Sequence, residues 1–143
     1  MSKKLDSLKA GTQLDGYLLE KTLGGGGFSV VYRARQINNN RRVVIKEYIP
    51  NKLARRDRNG QVCARSPETE GRFNRGRKLF FQEASTLATL KHTNIVDVFN
   101  FFQANGTVYM VMEYKEGENL QHYLQRYRGG NTVRRKRSLR PPR

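Results

Sequence analysis

Four consecutive glycines between two apolar segments constrain the fold of this chain more than any other feature. Residues 16–23 have the pattern of a strand that enters the run Gly24 to Gly27, and residues 29–35 have that of a strand that leaves it. Glycine adopts backbone conformations that other residues avoid, so this order predicts a β-hairpin with a glycine tip. Backbone N–H groups at such a tip can approach an anion such as a phosphate closely.

A third strand is predicted at residues 41–47, after a polar turn at residues 38–40. It contains the apolar run Val43, Val44 and Ile45 and ends close to a single lysine, Lys46. The third strand follows the glycine hairpin in the chain, so the hairpin is expected to fold over the side chains of that strand. Lys46 would then supply positive charge to a ligand beneath the tip.

The second half of the chain predicts one long helix and a second hairpin. Apolar residues repeat at Phe80, Ala84 and Leu87, with Phe73 extending the stripe, which indicates a helix at residues 74–91. Two further strands, at residues 97–103 and 107–113, are expected to meet at the turn pair Asn105 and Gly106.

Residues 50–70 are polar, basic and interrupted by proline and glycine, and are therefore predicted to form a basic inserted loop. A short helical turn capped at Ser66 and Pro67 fits within it. The resulting fold class is α+β, with a five-stranded antiparallel sheet and one main helix.

Length and composition limit the alternatives. A chain of 143 residues has room for one domain with a modest core. A single cysteine, Cys63, excludes an internal disulfide and a cysteine-based zinc site. The start of the chain lacks the apolar core of a signal peptide, and no window approaches the roughly 18 apolar residues of a membrane span. A cytoplasmic protein is expected.

The motifs resemble the amino-terminal, ATP-binding lobe of a protein kinase. The glycine-loop pattern G-x-G-x-x-G-x-V of that family corresponds here to Gly24, Gly26, Ser29 and Val31. In such kinases a strand lysine holds the nucleotide phosphates and a helix glutamate positions that lysine. The resemblance assigns these roles to Lys46 and Glu83, and Glu83 lies beside the apolar stripe of the predicted helix.

The resemblance extends from about residue 14 to residue 124. His92 to Val96 is similar to the family's H-P-N-I-V turn, and residues 108–114 are similar to its fifth strand and hinge. Met112 would then be the gatekeeper residue behind the adenine. Leu87 and Val98 would join the apolar spine that links helix and sheet. The ATP-site residues implied by the resemblance are Leu23, Gly24, Gly25, Gly26, Gly27, Phe28, Ser29, Val31, Val44, Lys46, Met112, Glu113 and Lys115.

Individual contacts follow from the same resemblance. Val31 and Val44 would pack on the adenine faces, while the carbonyl of Glu113 and the amide of Lys115 would bind its edge. Two positions depart from the family pattern. Val44 stands where alanine is usual and brings two extra methyl groups near the purine. Ser29 replaces the third glycine, and its hydroxyl could donate to a phosphate.

Residues 47–50 and 80–84 are similar to a bacterial serine/threonine kinase group. The catalytic-loop motif H-R-D-x-x-x-x-N, the metal-binding D-F-G and A-P-E are absent from the 143 residues. The chain is therefore expected to bind ATP without transferring phosphate. Mg²⁺ would arrive only with the nucleotide, because the chain offers no metal ligands of its own. A truncated kinase domain, a frameshifted reading frame and a natural extension would each explain the arginine-rich end.

The charge is concentrated in two segments. The net charge is +16, of which eight charges lie beyond residue 125, in a stretch without acidic residues. Another six lie at residues 52–78, where nine basic residues face three acidic ones. The expected organisation is an extension at residues 1–13, the kinase-like lobe with its hinge and the start of the next helix at 14–128, and a basic disordered tail at 129–143. One alternative is a basic scaffold that contacts nucleic acid or another acidic surface. Another is a binding module that docks on a partner kinase through the exposed surface of the lobe.

Overall fold

The computed structural model describes residues 6–89 and 98–114. Within these ranges the chain forms eight strands and one helix. They are β1 (Gln13–Leu14), β2 (Tyr17–Gly25), β3 (Ser29–Gln36), β4 (Arg42–Tyr48), β5 (Ala54–Arg56), β6 (Val62–Ala64), α1 (Pro67–Thr89), β7 (Val98–Ala104) and β8 (Thr107–Glu113).

The main sheet is antiparallel and has the strand order β1-β2-β3-β4-β8-β7. The predicted α+β class is confirmed, and its five sheet strands correspond to β2, β3, β4, β7 and β8. The predicted number of strands was too low by one in this sheet. The added strand is the two-residue β1, in which Gln13 pairs with Leu18. Two residues are too few for a period-2 pattern to be visible in a sequence.

The basic insert is more ordered than the predicted loop. Strands β5 and β6 pair there as a separate two-stranded sheet. The backbone N–H of Val62 donates to the carbonyl oxygen of Asn105 at 2.7 Å, so this hairpin is attached to the turn between β7 and β8. That hydrogen bond joins residues far apart in sequence, which short sequence windows cannot reveal.

Helix α1 begins at Pro67, seven residues before the predicted start. Proline suits the first position of a helix because its missing N–H needs no partner there. The N–H of Ser66 donates to Oγ1 of Thr69 at 3.2 Å, and that hydroxyl donates to the carbonyl oxygen of Ser66 at 3.1 Å. Two acidic residues, Glu68 and Glu70, lie in the first turn, where negative charge is favourable. The short turn capped at Ser66 is therefore the first turn of the long helix.

Turn chemistry was predicted well. Asn105 and Gly106 both have positive φ, 53° and 75°, as a two-residue hairpin turn between antiparallel strands requires. A Cβ at Gly106 would also lie 2.6 Å from the carbonyl oxygen of Val62, so the attachment of the β5–β6 hairpin needs glycine at this point.

The two faces of the sheet carry different charged residues from adjacent positions of β4. Lys46 points to the face that packs on α1, and Glu47 points to the opposite face. Glu47 is fully buried and accepts hydrogen bonds from the hydroxyls of Tyr32 and Tyr109 and, at 2.6 Å, from Arg56. Arg56 belongs to the basic insert, so this ion pair fastens the insert to the sheet.

Candidate functional site

The glycine hairpin joins β2 to β3, and its backbone makes close contacts that only glycine permits. Gly24 has a φ of 154°, a value essentially restricted to glycine, and a Cβ at Gly25 would lie 2.7 Å from the carbonyl oxygen of Ser29. The N–H of Gly26 donates to that same oxygen at 3.0 Å. These close approaches explain why the tip needs glycine. Phe28, at the tip, has 65% of its surface exposed.

Backbone hydrogen bonds tie the hairpin tip to the segment that follows β4, a feature that no motif in the sequence revealed. The N–H of Ile49 donates to the carbonyl oxygen of Phe28, and the N–H of Asn51 donates to that of Gly27, both at 2.9 Å. The tip is thus fixed relative to the strand that carries Lys46. No residue pattern marks such bonds, because any non-proline residue can make them.

Ser29 begins β3 opposite Tyr48 and is only 6% exposed. It therefore lies inside the hairpin ladder, below the tip, at the place where the family's third glycine was expected. Its proposed hydrogen bond to a phosphate stays a prediction and requires access that its burial restricts.

Lys46 lies in β4 beside Val31 of the hairpin and Met110 of β8, and it is 7% exposed. Burial lowers the pKa of Lys46 to about 8, and the negative charge of Glu83 acts in the opposite direction. The Lys46 ammonium also lies 5.6 Å from the centre of the Phe80 ring. In the structure the predicted lysine and the predicted glutamate are close enough to interact electrostatically, although 37 positions separate them in the sequence.

An apolar cluster lies beneath the hairpin on the same face as Lys46. It includes Val31, Val44, Val98 and Met112, and Leu23 packs against it. Val44 pairs with Met112 across β4 and β8. Val31, Val44 and Met112 are at most 1% exposed. These three side chains are therefore covered in the structure, and the adenine contacts stay predictions.

The structure describes only some of the remaining predicted residues. Glu113 is the last residue of β8. Lys115 and the turn His92 to Val96 lie outside the residues that the structure describes, as does the side chain of Leu87. Phe73 and Ala84, from the predicted helical stripe, are buried, and Phe80 is partly buried against both core clusters.

Tyr48 and Gly76, which contact each other between β4 and α1, were not singled out from the sequence. Tyr48 ends β4, and a Cβ at Gly76 of α1 would overlap its hydroxyl oxygen. A mid-helix glycine is a visible signal, since glycine weakens a helix unless packing requires it. The partner that makes it necessary is visible only in three dimensions.

Among residues 6–89 and 98–114, no three His, Cys, Asp or Glu side chains are grouped so that they could hold a metal ion. Within the same ranges, α1 is not apolar enough to cross a membrane.

An antiparallel sheet with a glycine hairpin, a buried strand lysine and one helix that carries a glutamate defines the class of nucleotide-binding kinase lobes. Comparison with known proteins agrees. The sequence description of the protein kinase domain matches residues 17–139. The chain belongs to the protein kinase family, as the motifs predicted.

Similar proteins include serine/threonine kinases. The chain is 35% identical over 114 residues to the serine/threonine-protein kinase PLK4 of Aedes aegypti and 33% identical over 116 residues to the serine/threonine-protein kinase Nek5 of Mus musculus. These alignments cover 80% and 81% of this chain but only 12% and 15% of the relatives.

The structure also matches a bacterial PpkA kinase fragment in its apo form, with a TM-score of 0.77 and 32% identity. That match covers 86% of this chain and 44% of the other. The chain therefore spans a small part of the curated relatives and less than half of the matched structure.

Proposed function

We propose that the chain binds ATP beneath the glycine hairpin and forms the nucleotide-binding half of a serine/threonine kinase active site. The observation that supports this most directly is Lys46, an ammonium buried beside the hairpin and influenced by Glu83 on α1. Electrostatic attraction is stronger where water is excluded, so a phosphate that reaches Lys46 gains more there than at a surface lysine.

The roles follow from the positions of the residues. Backbone N–H groups of residues 24–28 would donate to the phosphates, and Lys46 would neutralise their charge. Glu83 would hold Lys46 in one orientation. Val31, Val44 and Met112 would contact the adenine faces, with Leu23 above the base, and the carbonyl of Glu113 and the amide of Lys115 would bind the adenine edge.

We further propose that this 143-residue polypeptide does not transfer phosphate by itself. Phosphoryl transfer needs a carboxylate near the acceptor hydroxyl and a metal ion between the phosphates, and the H-R-D and D-F-G motifs that supply these groups do not occur in it. In this proposal Mg²⁺ arrives with ATP and neutralises phosphate charge. The residues that complete catalysis come from other polypeptide sequence.

Titration of ATP into the chain, followed by NMR to reach millimolar dissociation constants, tests the proposal. We expect weak binding, because one half of the nucleotide site is present. Lys46→Ala should abolish it, whereas Lys21→Ala should not, since Lys21 is an exposed lysine of β2. Equal affinity in the Lys46→Ala chain would show that ATP binds elsewhere.

Polyanion binding is a second candidate function, favoured by the eight basic residues from Arg126 onward. Removal of residues 128–143 deletes seven of these charges. For every phosphate of duplex DNA that the shortened chain no longer neutralises, the slope of log affinity against log salt concentration should flatten by about 0.9. An unchanged slope would place the DNA-binding charges in the basic insert instead. Docking on a partner kinase and a cytoplasmic location stay predictions.

A further inference from the structure

The side chain of Tyr48, the last residue of β4, packs against α1. Its ring stacks on Phe73, with centroids 5.7 Å apart and planes 14° apart, and lies against Phe80 at 5.6 Å. Its hydroxyl donates to the carbonyl oxygen of Phe73 at 3.1 Å. Phe73 and Phe80 lie two turns apart on the helix, and Gly76 lies between them on the same face.

Gly76 lets the two elements approach this closely. A Cβ at this position would overlap the Tyr48 hydroxyl oxygen, an approach that real side chains do not tolerate. It would also lie 3.0 Å from Cζ, a contact that a shift of a few tenths of an ångström relieves. Gly71, on the same helix, would meet no atom within 4 Å. The requirement for glycine is therefore local to the contact with Tyr48.

The same contact leads directly to the predicted phosphate-binding pair. Tyr48 and Lys46 are two residues apart on β4 and share a face. Phe80, which packs on Tyr48, also lies beneath the Lys46 ammonium, and Glu83 follows Phe80 by about one helical turn. A packed helix moves over such a short length as one unit, so the spacing at Gly76 determines where Glu83 stands relative to Lys46.

We propose that Tyr48 and Gly76 are positioning residues: their contact sets the distance between α1 and β4 and thereby holds Glu83 in place to orient Lys46 toward the ATP phosphates. This inference rests on the proposed function of Lys46. It assigns no contact with ATP to either residue.

The test uses the full 143-residue chain and NMR-detected titration with ATP and Mg²⁺. Gly76→Ala forces the helix outward by about an ångström and should weaken ATP binding about tenfold, as expected for loss of one charge-assisted hydrogen bond. Gly71→Ala, the matched control, should bind ATP like the wild type. Tyr48→Phe combined with Gly76→Ala removes the clashing hydroxyl and should restore affinity to within about threefold of the wild type.

A double-mutant cycle separates positioning from loss of stability. Glu83→Gln should weaken ATP binding in the wild-type chain but add little in the Gly76→Ala chain, because the displaced helix no longer presents Glu83 to Lys46. Additive effects would overturn the proposal, as would wild-type affinity of Gly76→Ala. If both Gly76→Ala chains fail to fold while Gly71→Ala folds, the contact is purely structural and the positioning role is wrong.

Failure of the proposed function gives a different result. In that case the wild type does not bind ATP, or Lys46→Ala binds as well as the wild type, and both the site and the role of the contact are overturned. If only Gly76→Ala behaves unexpectedly, the site stands and the inference falls.

Discussion

Replacing Glu47 with leucine should destabilise the chain strongly, although this carboxylate lies on the face of the sheet opposite Lys46. Glu47 is fully buried, and the side chain of its partner Arg56 is only 7% exposed. The substitution leaves the buried Arg56 guanidinium without its carboxylate. It also removes the acceptor of the hydroxyls of Tyr32 and Tyr109.

The expected loss is about 3–5 kcal/mol, the usual cost of removing one partner from a buried ion pair. Arg56 keeps hydrogen bonds to the carbonyl oxygens of Asp6 and Gly60, which favours the lower end of that range. Total stabilities of small domains are about 5–15 kcal/mol, so this loss is a large fraction of the stability of the chain.

Urea unfolding followed by far-ultraviolet circular dichroism measures this loss, since the chain has no tryptophan to report by fluorescence. Glu20→Gln is the matched control. It breaks ion pairs with Arg33 and Arg35, whose side chains are 32% and 38% exposed, and should cost less than about 1 kcal/mol. If Glu47→Leu costs no more than Glu20→Gln, the buried network does not fasten the insert to the sheet.

Three further outcomes are expected. Burial, followed by the charge of Glu47, raises the pKa of Tyr32 and of Tyr109. The unfolded chain deprotonates these tyrosines at a lower pH than the folded chain does, so their contribution to stability should be complete below about pH 10 and fall above it by about 1.4 kcal/mol per pH unit for each tyrosine; a Tyr32→Phe chain with an unchanged alkaline unfolding curve would contradict this. Gly106→Ala should cost about 2 kcal/mol or more in urea melts, because it places a Cβ at positive φ and 2.6 Å from the carbonyl oxygen of Val62, whereas Gly27→Ala, with no atom within 4 Å, should cost far less. Incubation with labelled ATP, Mg²⁺ and casein should give no phosphate incorporation; incorporation that disappears in Lys46→Ala would show that the chain is itself an active enzyme.

Local signals were sufficient for five of the six strands of the main sheet and for the turns between them. Short stretches of sequence are enough to recognise the glycine run, the lysine near the end of an apolar strand (Lys46), and the turn pair Asn105 and Gly106. The position of Glu83 beside the apolar stripe of a helix was also readable, because helical periodicity places residues on faces.

The sequence did not predict strands β5 and β6, the early start of α1 or the role of Gly76. Strands β5 and β6 have three residues each, and their position depends on hydrogen bonds with the distant Asn105. The early start of α1 was hidden by a polar, basic first half that contains two glycines. The reason for glycine at position 76 is visible only in the structure, where Tyr48 packs against it. A glycine in a sequence can indicate a close approach, but it does not indicate which residue makes that approach.

The most direct test of an ATP site beneath the glycine hairpin is a residue-resolved one: backbone amide NMR spectra of the chain titrated with ATP and Mg²⁺. We predict saturable shifts at residues 24–29 and at Lys46, with little change at Val62 and Asn105 on the attached insert, and loss of these shifts in Lys46→Ala. Shifts confined to the basic residues 126–143, or hairpin shifts that persist in Lys46→Ala, would contradict the account.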